Sequence, residues 1–102
     1  MGQMTDIGAE RLIIAIGQQA LDDIVTYHYY LLENELGEIF YKSRILERAK
    51  KDCDDAIRWV YSEDFAGMFP NIAPDVFVRE AKERAKERLE EERLKRAKKA
   101  AI

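Results

Sequence analysis

Five aromatic side chains, Trp59, Tyr61, Phe65, Phe69 and Phe77, crowd into the stretch from Ala56 to Ala81, together with both of the chain's prolines, Pro70 and Pro74. Aromatic rings bury more area per residue than other side chains, and proline interrupts helices. A fold that satisfies both must turn the chain here and close its core around the rings. The punctuation Ser62-Glu63-Asp64, Pro70-Asn71 and Pro74-Asp75 reads as two helices joined through a short turn.

Turn formers are scarce elsewhere: the 102 residues include five Gly and two Pro, against 47% hydrophobic and 36% charged side chains. That balance predicts an all-α fold, a compact bundle of three to four helices with a long charged C-terminal helix. A chain of this length forms one domain, 1–102, with a modest core expected over about residues 6–89.

Thr5 or Asp6 is expected to cap the first helix. Ile13, Ile16, Ala20, Ile24, Tyr27 and Leu31 form one apolar stripe along it, and Ile14, Leu21, Val25, His28 and Leu32 the next. So wide a face predicts a central helix touching two neighbours, with Gly17 and Ala20 admitting one of them closely and Gly37 ending the helix. A second helix is expected to begin between Ile39 and Ser43 and end near Tyr61, with a seam of Leu46, Ala49, Cys53, Ala56, Ile57 and Val60. Ser62 should cap a short third helix whose first turn carries Glu63 and Asp64, charges suited to its positive end.

Pro74 fits the first turn of the last helix, because a residue there has no helical partner for its N–H anyway. Val78, Ala81, Ala85 and Leu89 form its seam. At about 100° per residue, Arg79, Lys82, Lys86 and Arg93 border the seam on one side and Arg84, Arg88 and Lys95 on the other. Glu80, Glu83, Glu87, Glu90 and Glu91 take the outer face. Past Leu89 the seam positions are Glu92, Arg96 and Lys99, so residues 90–102 read as an overhang. Either those turns are solvated and fray, or a partner supplies the missing half.

Charge is uneven. Residues 1–72 hold 7 basic and 13 acidic side chains, and residues 73–102 hold 10 basic and 7 acidic, within a net charge of -3. A mildly basic end on an acidic body can steer a partner, but falls short of a stand-alone nucleic-acid module. No apolar run is long enough to span a membrane and no secretory leader is evident. Asp6 stands where a myristoylation signal has Ser or Thr, so a cytoplasmic location without membrane contact is expected.

Chemistry-bearing residues are few. Cys53 is the sole cysteine and reads as a small buried hydrophobe. His28 is the sole histidine and reads as structural; with Val25 three residues before it, it lacks the Glu-x-x-His of a carboxylate-bridged iron bundle. Asp22 and Asp23 on the first helix and Asp52, Asp54 and Asp55 on the second fit a solvated acidic face better than a cation site. Ser43 and Ser62 are the only serines, and Ser62 is better used as a cap than in a hydrolytic triad. No catalytic, metal-binding or cofactor-binding residue is therefore expected.

The run from Asp64 to Phe77 can be laid over a helix-turn-helix whose reading helix follows Pro74. A glutamate-rich outer face, with no Asn, Gln, Ser or Thr between Pro74 and Ile102, opposes that reading.

Leu12-Ile13-Ile14-Ala15-Ile16 with Gln19-Ala20-x-x-Asp23, then Ala56-x-x-Trp59-x-x-Ser62-x-Asp64-Phe65 and Pro74-Asp75-x-x-x-Arg79, resembles small, largely uncharacterised helical proteins encoded by bacteriophages, prophages and other mobile elements. The similarity covers about residues 11–80. Those proteins commonly have an Ala-Gly turn where this chain has Met68-Phe69-Pro70-Asn71, which weakens the helix-turn-helix overlay further. The resemblance implies an accessory protein and carries over no catalytic residue.

The expected function is therefore non-catalytic: binding a host or phage protein, as an inhibitor of host defence in the manner of anti-CRISPR proteins or as an adaptor. The candidate contact residues are Arg79, Lys82, Lys86, Leu89, Arg93 and Arg96. One alternative is a DNA-binding regulator of the helix-turn-helix kind. Another is an oligomeric sponge for a small molecule or nucleotide, based on Tyr27, Tyr29 and Tyr30 beside basic residues.

Overall fold

The computed structural model describes residues 2–37 and 41–100, with side chains from residue 8 onward. Among these residues there are four helices and no strand: α1 (Gly2–Leu36), α2 (Ser43–Val60), α3 (Glu63–Met68) and α4 (Pro74–Ala100). Central α1 packs against both α2 and α4.

Facing residues fix the directions. Ile45 and Ala49 lie across from Thr26 and Tyr30, while Ala56 and Trp59 lie across from Ile16 and Ala20, so α2 runs antiparallel to α1. Arg88 sits over Tyr29 and Arg96 meets Glu33, so α4 runs parallel to α1.

Local signals end the helices where they were expected to. Gly37 has φ 71°, a left-handed backbone that suits glycine, and its N–H donates to the Asn34 carbonyl at 3.1 Å. The Asn34 side-chain oxygen accepts from the Tyr41 N–H at 3.2 Å, tying the start of the next segment back to α1. Ser62 caps α3 by accepting from the Phe65 N–H at 3.4 Å and donates its hydroxyl to the Trp59 carbonyl at 2.5 Å. The first turn of α3 carries Glu63 and Asp64, and α4 opens at Pro74.

The core forms around Phe65, which is fully buried with Ile24, Val60, Cys53 and Ala81. Trp59 and Phe77 meet the Phe65 ring edge-on at centroid distances of 5.4 and 5.3 Å, and Phe69 lies tilted against it at 5.3 Å. Phe69 also covers Gly17. A Cβ built on that glycine would stand 2.7 Å from the ring's Cζ, so the close approach expected at Gly17 is used by α3's flank. A smaller cluster of Tyr29, Ala85 and Leu89 continues the α1–α4 contact.

Four expectations need correction. Tyr61 is not in the aromatic core: it is 55% exposed, and its hydroxyl donates to the Asp75 carboxylate, which holds the phenol above its usual pKa. Helix α1 begins at Gly2, so Thr5 and Asp6 lie within it rather than capping it. The apolar face of α1 is only partly used. Ile14, in the row of Leu21, Val25, His28 and Leu32, is 54% exposed, and Leu12, in the row of Ile16 and Gln19 that faces α2, is 62% exposed because the far end of α2 reaches only to the level of Ile16–Ala20. At about 1.5 Å per residue, α1 is nearly twice as long as α2.

The end of α4 also differs from expectation. Contact with α1 does not stop at Leu89, because Arg96 Nη2 reaches Glu33 Oε1 at 3.4 Å, and the Glu33 carboxylate is 1% exposed. The apolar seam is continued by a charge pair, which periodicity of hydrophobic residues does not reveal. Tyr29 packs beside this pair with Arg88 over its ring at 4.4 Å; burial and then Glu33 push its hydroxyl up to about 12. Leu94, on the outer side of α4, is 63% exposed. Residues 101–102 and the Ile39 end of the expected α2 start lie outside the described residues.

Candidate functional site

Where α1 and α4 lie side by side, His28, Leu31, Leu32 and Glu35 form one wall of a groove of about 230 Å³, and Arg79, Lys82, Glu83 and Lys86 form the other. Each wall follows the spacing i, i+3, i+4, i+7, which places four side chains on a single helix face over two turns. Two such rows running in the same direction make a straight trough with a defined polarity.

The floor is apolar: Leu31 and Leu32 are half-buried, and His28 stands beside them, tilted against the Tyr27 ring at 5.5 Å. Burial lowers the His28 pKa from its ordinary 6.5, and the charge of Lys82 lowers it further. The imidazole is therefore neutral at pH 7, and the field it feels is positive.

The rim is charged. Lys86 pairs with Glu83 at 3.3 Å, a solvent-exposed contact within one helix that contributes little. Arg79 and Lys82 make no ion pair among the described residues. Two cations without an ion pair among the described residues thus border an apolar floor, with Glu35 at the far end of the α1 wall.

Of the six residues expected to contact a partner, the fold brings together Arg79, Lys82 and Lys86. Leu89 is buried against Tyr29 and Ala85, and Arg96 is paired with Glu33. Arg93 borders a separate shallow depression with Glu90, Leu94 and Ala97 on the outer side of α4. Helical periodicity puts His28, Leu31 and Leu32 on α1's apolar face, but only the parallel docking of the two helices joins them to the basic border of α4. Glu33 gave no signal in the sequence, since its partner is 63 residues away.

The remaining candidates have structural settings. Asp23 and Asp52 line the cleft between α1 and α2; burial raises the Asp23 pKa, a hydrogen bond from Gln19 at 3.0 Å opposes the rise, and the Asp52 and Asp22 charges add to it. No group of three or more His, Cys, Asp or Glu comes together in metal-binding geometry among the described residues. Cys53 is buried, and burial followed by the Asp54 charge pushes its thiol up to about 11. Tyr29 and Tyr30 lie at 6.3 Å and Tyr30 stacks near Tyr41 at 4.2 Å, whereas Tyr27 packs toward the Phe65 core. Among the described residues no helix is long and apolar enough to cross a membrane.

Comparison of the chain with protein-family models, curated proteins and solved structures found no match in any of the three.

Proposed function

We propose that this chain is a non-catalytic accessory protein that acts by binding another protein through the groove between α1 and α4. It is of the kind that mobile elements encode to inhibit or redirect host proteins, defence machinery included. One observation carries the reading: among the described residues, Arg79 and Lys82 stand without ion-pair partners over the half-buried Leu31 and Leu32. Exposed cations bordering an apolar trough suit a protein surface with its own apolar ridge, and charge there accelerates encounter and sets register.

A phosphate backbone is a poorer fit. Glu35 and Glu83 line the same trough, Asp75 lies in the first turn of α4, and Glu80 is exposed beside Arg79.

The test is affinity capture from host lysate without nuclease, comparing the wild type with Arg79→Glu/Lys82→Glu. A stoichiometric protein captured by the wild type and lost by the variant supports the reading. Capture that the variant leaves unchanged refutes the groove. Nucleic acid that copurifies and is released by salt shifts the function to DNA binding.

A further inference from the structure

Resting on the protein-binding reading, we infer that the occupant of the α1–α4 groove is an acidic amphipathic helix from another protein, with its carboxylates along the α4 wall. The trough is bounded by two parallel helices and is two turns long, which is the footprint for a third helix laid ridge into groove. An extended strand would need an unpaired backbone edge to bond to, and a helical wall offers none.

The chemistry of the walls orients the occupant. Leu31 and Leu32 call for apolar side chains on its inner face, at i, i+3 or i+4 spacing. Arg79 and Lys82 call for Glu or Asp on the flank toward α4. Glu35, at the α1 wall's C-terminal end, repels an acid there and favours a Lys or Arg. The neutral His28 adds no charge to the floor.

This chain cannot supply that helix from a second copy. Its exposed apolar run, Leu12 to Ile14, is flanked by Glu10 and Arg11 and carries no acidic face. The acid-rich stretch Asp52 to Asp55 on α2 has its apolar side, Cys53 and Ala56, already buried, and the acids on the outer face of α4, Glu87, Glu90 and Glu91, have a single exposed large apolar side chain beside them, Leu94, where the two leucines of the groove call for two. The ligand must come from a different protein.

The probe is a labelled synthetic amphipathic peptide with leucines on one face and glutamates on one flank, alongside its counterpart with lysine at every glutamate position. Fluorescence anisotropy against the full chain is the readout. The glutamate peptide should bind, weaken with rising salt, and lose roughly fivefold to tenfold in affinity for Arg79→Glu/Lys82→Glu, as expected for two reversed surface charges. Both substituted side chains are exposed, so circular dichroism should show the variant folded.

Equal binding of the lysine peptide, or no effect of the double variant, overturns the inference. If neither peptide binds while lysate capture still depends on Arg79 and Lys82, the acidic-helix inference falls and the protein-binding reading stands. If capture is also independent of those residues, both fall.

Discussion

Replacing Arg96 with alanine should destabilise the fold far more than its place near the end of a charged helix suggests. At the observed 3.4 Å, and with an effective dielectric of about 20, the attraction between Arg96 and Glu33 is about 5 kcal/mol before the cost of desolvating the two charges is counted. The Arg96 side chain is 38% exposed, so water screens a good part of that attraction. Glu33, 1% exposed, has no such relief, and among the described residues its Oε2 accepts no hydrogen bond. Breaking a fully buried pair typically costs about 3–5 kcal/mol, and discounting for the exposed partner leaves an expected loss of about 2–3 kcal/mol.

For a domain of this size that loss lowers the melting temperature by about 10–20 °C. Glu33→Gln removes the buried charge, so in the Arg96→Ala background it should restore at least about 1 kcal/mol, a non-additivity measurable in a double-mutant cycle by urea unfolding. Removing residues 90–102 should likewise destabilise the bundle instead of trimming a loose end. If Arg96→Ala lies within about 0.5 kcal/mol of the wild type, or Glu33→Gln brings no relief, the pair does not anchor α4.

Other perturbations follow from the same packing. Gly17→Ala gains helix propensity but drives a methyl into the Phe69 ring, so a net loss of about 1–2 kcal/mol is expected; Gly67→Ala, which meets nothing within 4 Å, should be neutral or stabilising. Phe65→Ala should cost about 3–5 kcal/mol by opening a cavity among Trp59, Phe69 and Phe77, read from the denaturation midpoint at unchanged slope. His28 has a folded pKa below its unfolded 6.5, so the unfolded chain binds the proton first, and stability should fall as pH drops through 6.5. His28→Gln should flatten that part of the pH profile, and a wild-type profile equally flat between pH 7 and 5 would contradict the assignment. Cys53 should resist alkylation at pH 8 until the protein unfolds, its thiol being buried and held near 11; rapid labelling of the native chain would show that the core opens there.

Short-range chemistry was the most legible part of the fold. Ser62, Gly37 and Pro74 act through their own backbone and nearest neighbours, and each lies at the helix boundary that its residue type implies. The α2 seam of Ala49, Cys53, Ala56 and Val60 was equally readable, because one helix packing on one neighbour yields a simple period. Leu12 and Ile14 were not. An apolar run does not report whether a neighbouring helix is long enough to cover it, and α2 stops short of Leu12.

Longer-range features were legible by halves. Projecting α4 located Arg79, Lys82 and Lys86 on one border, but their floor belongs to α1 and depends on the parallel register of the two helices. The Glu33–Arg96 pair was hidden for a similar reason: a charge at a seam position looks like the end of a core unless its partner across the interface is known.

The claim that the α1–α4 groove is the binding surface is tested most directly by crosslinking in cells. A photo-reactive side chain is placed at position 35, on the groove wall, or at position 58, where Arg58 is 80% exposed on α2 away from the groove. The groove site should yield one dominant adduct with a second protein, and that adduct should disappear when Arg79→Glu/Lys82→Glu is added, while position 58 yields none. Adducts formed equally from both positions, or only from position 58, would place the partner elsewhere and contradict the account.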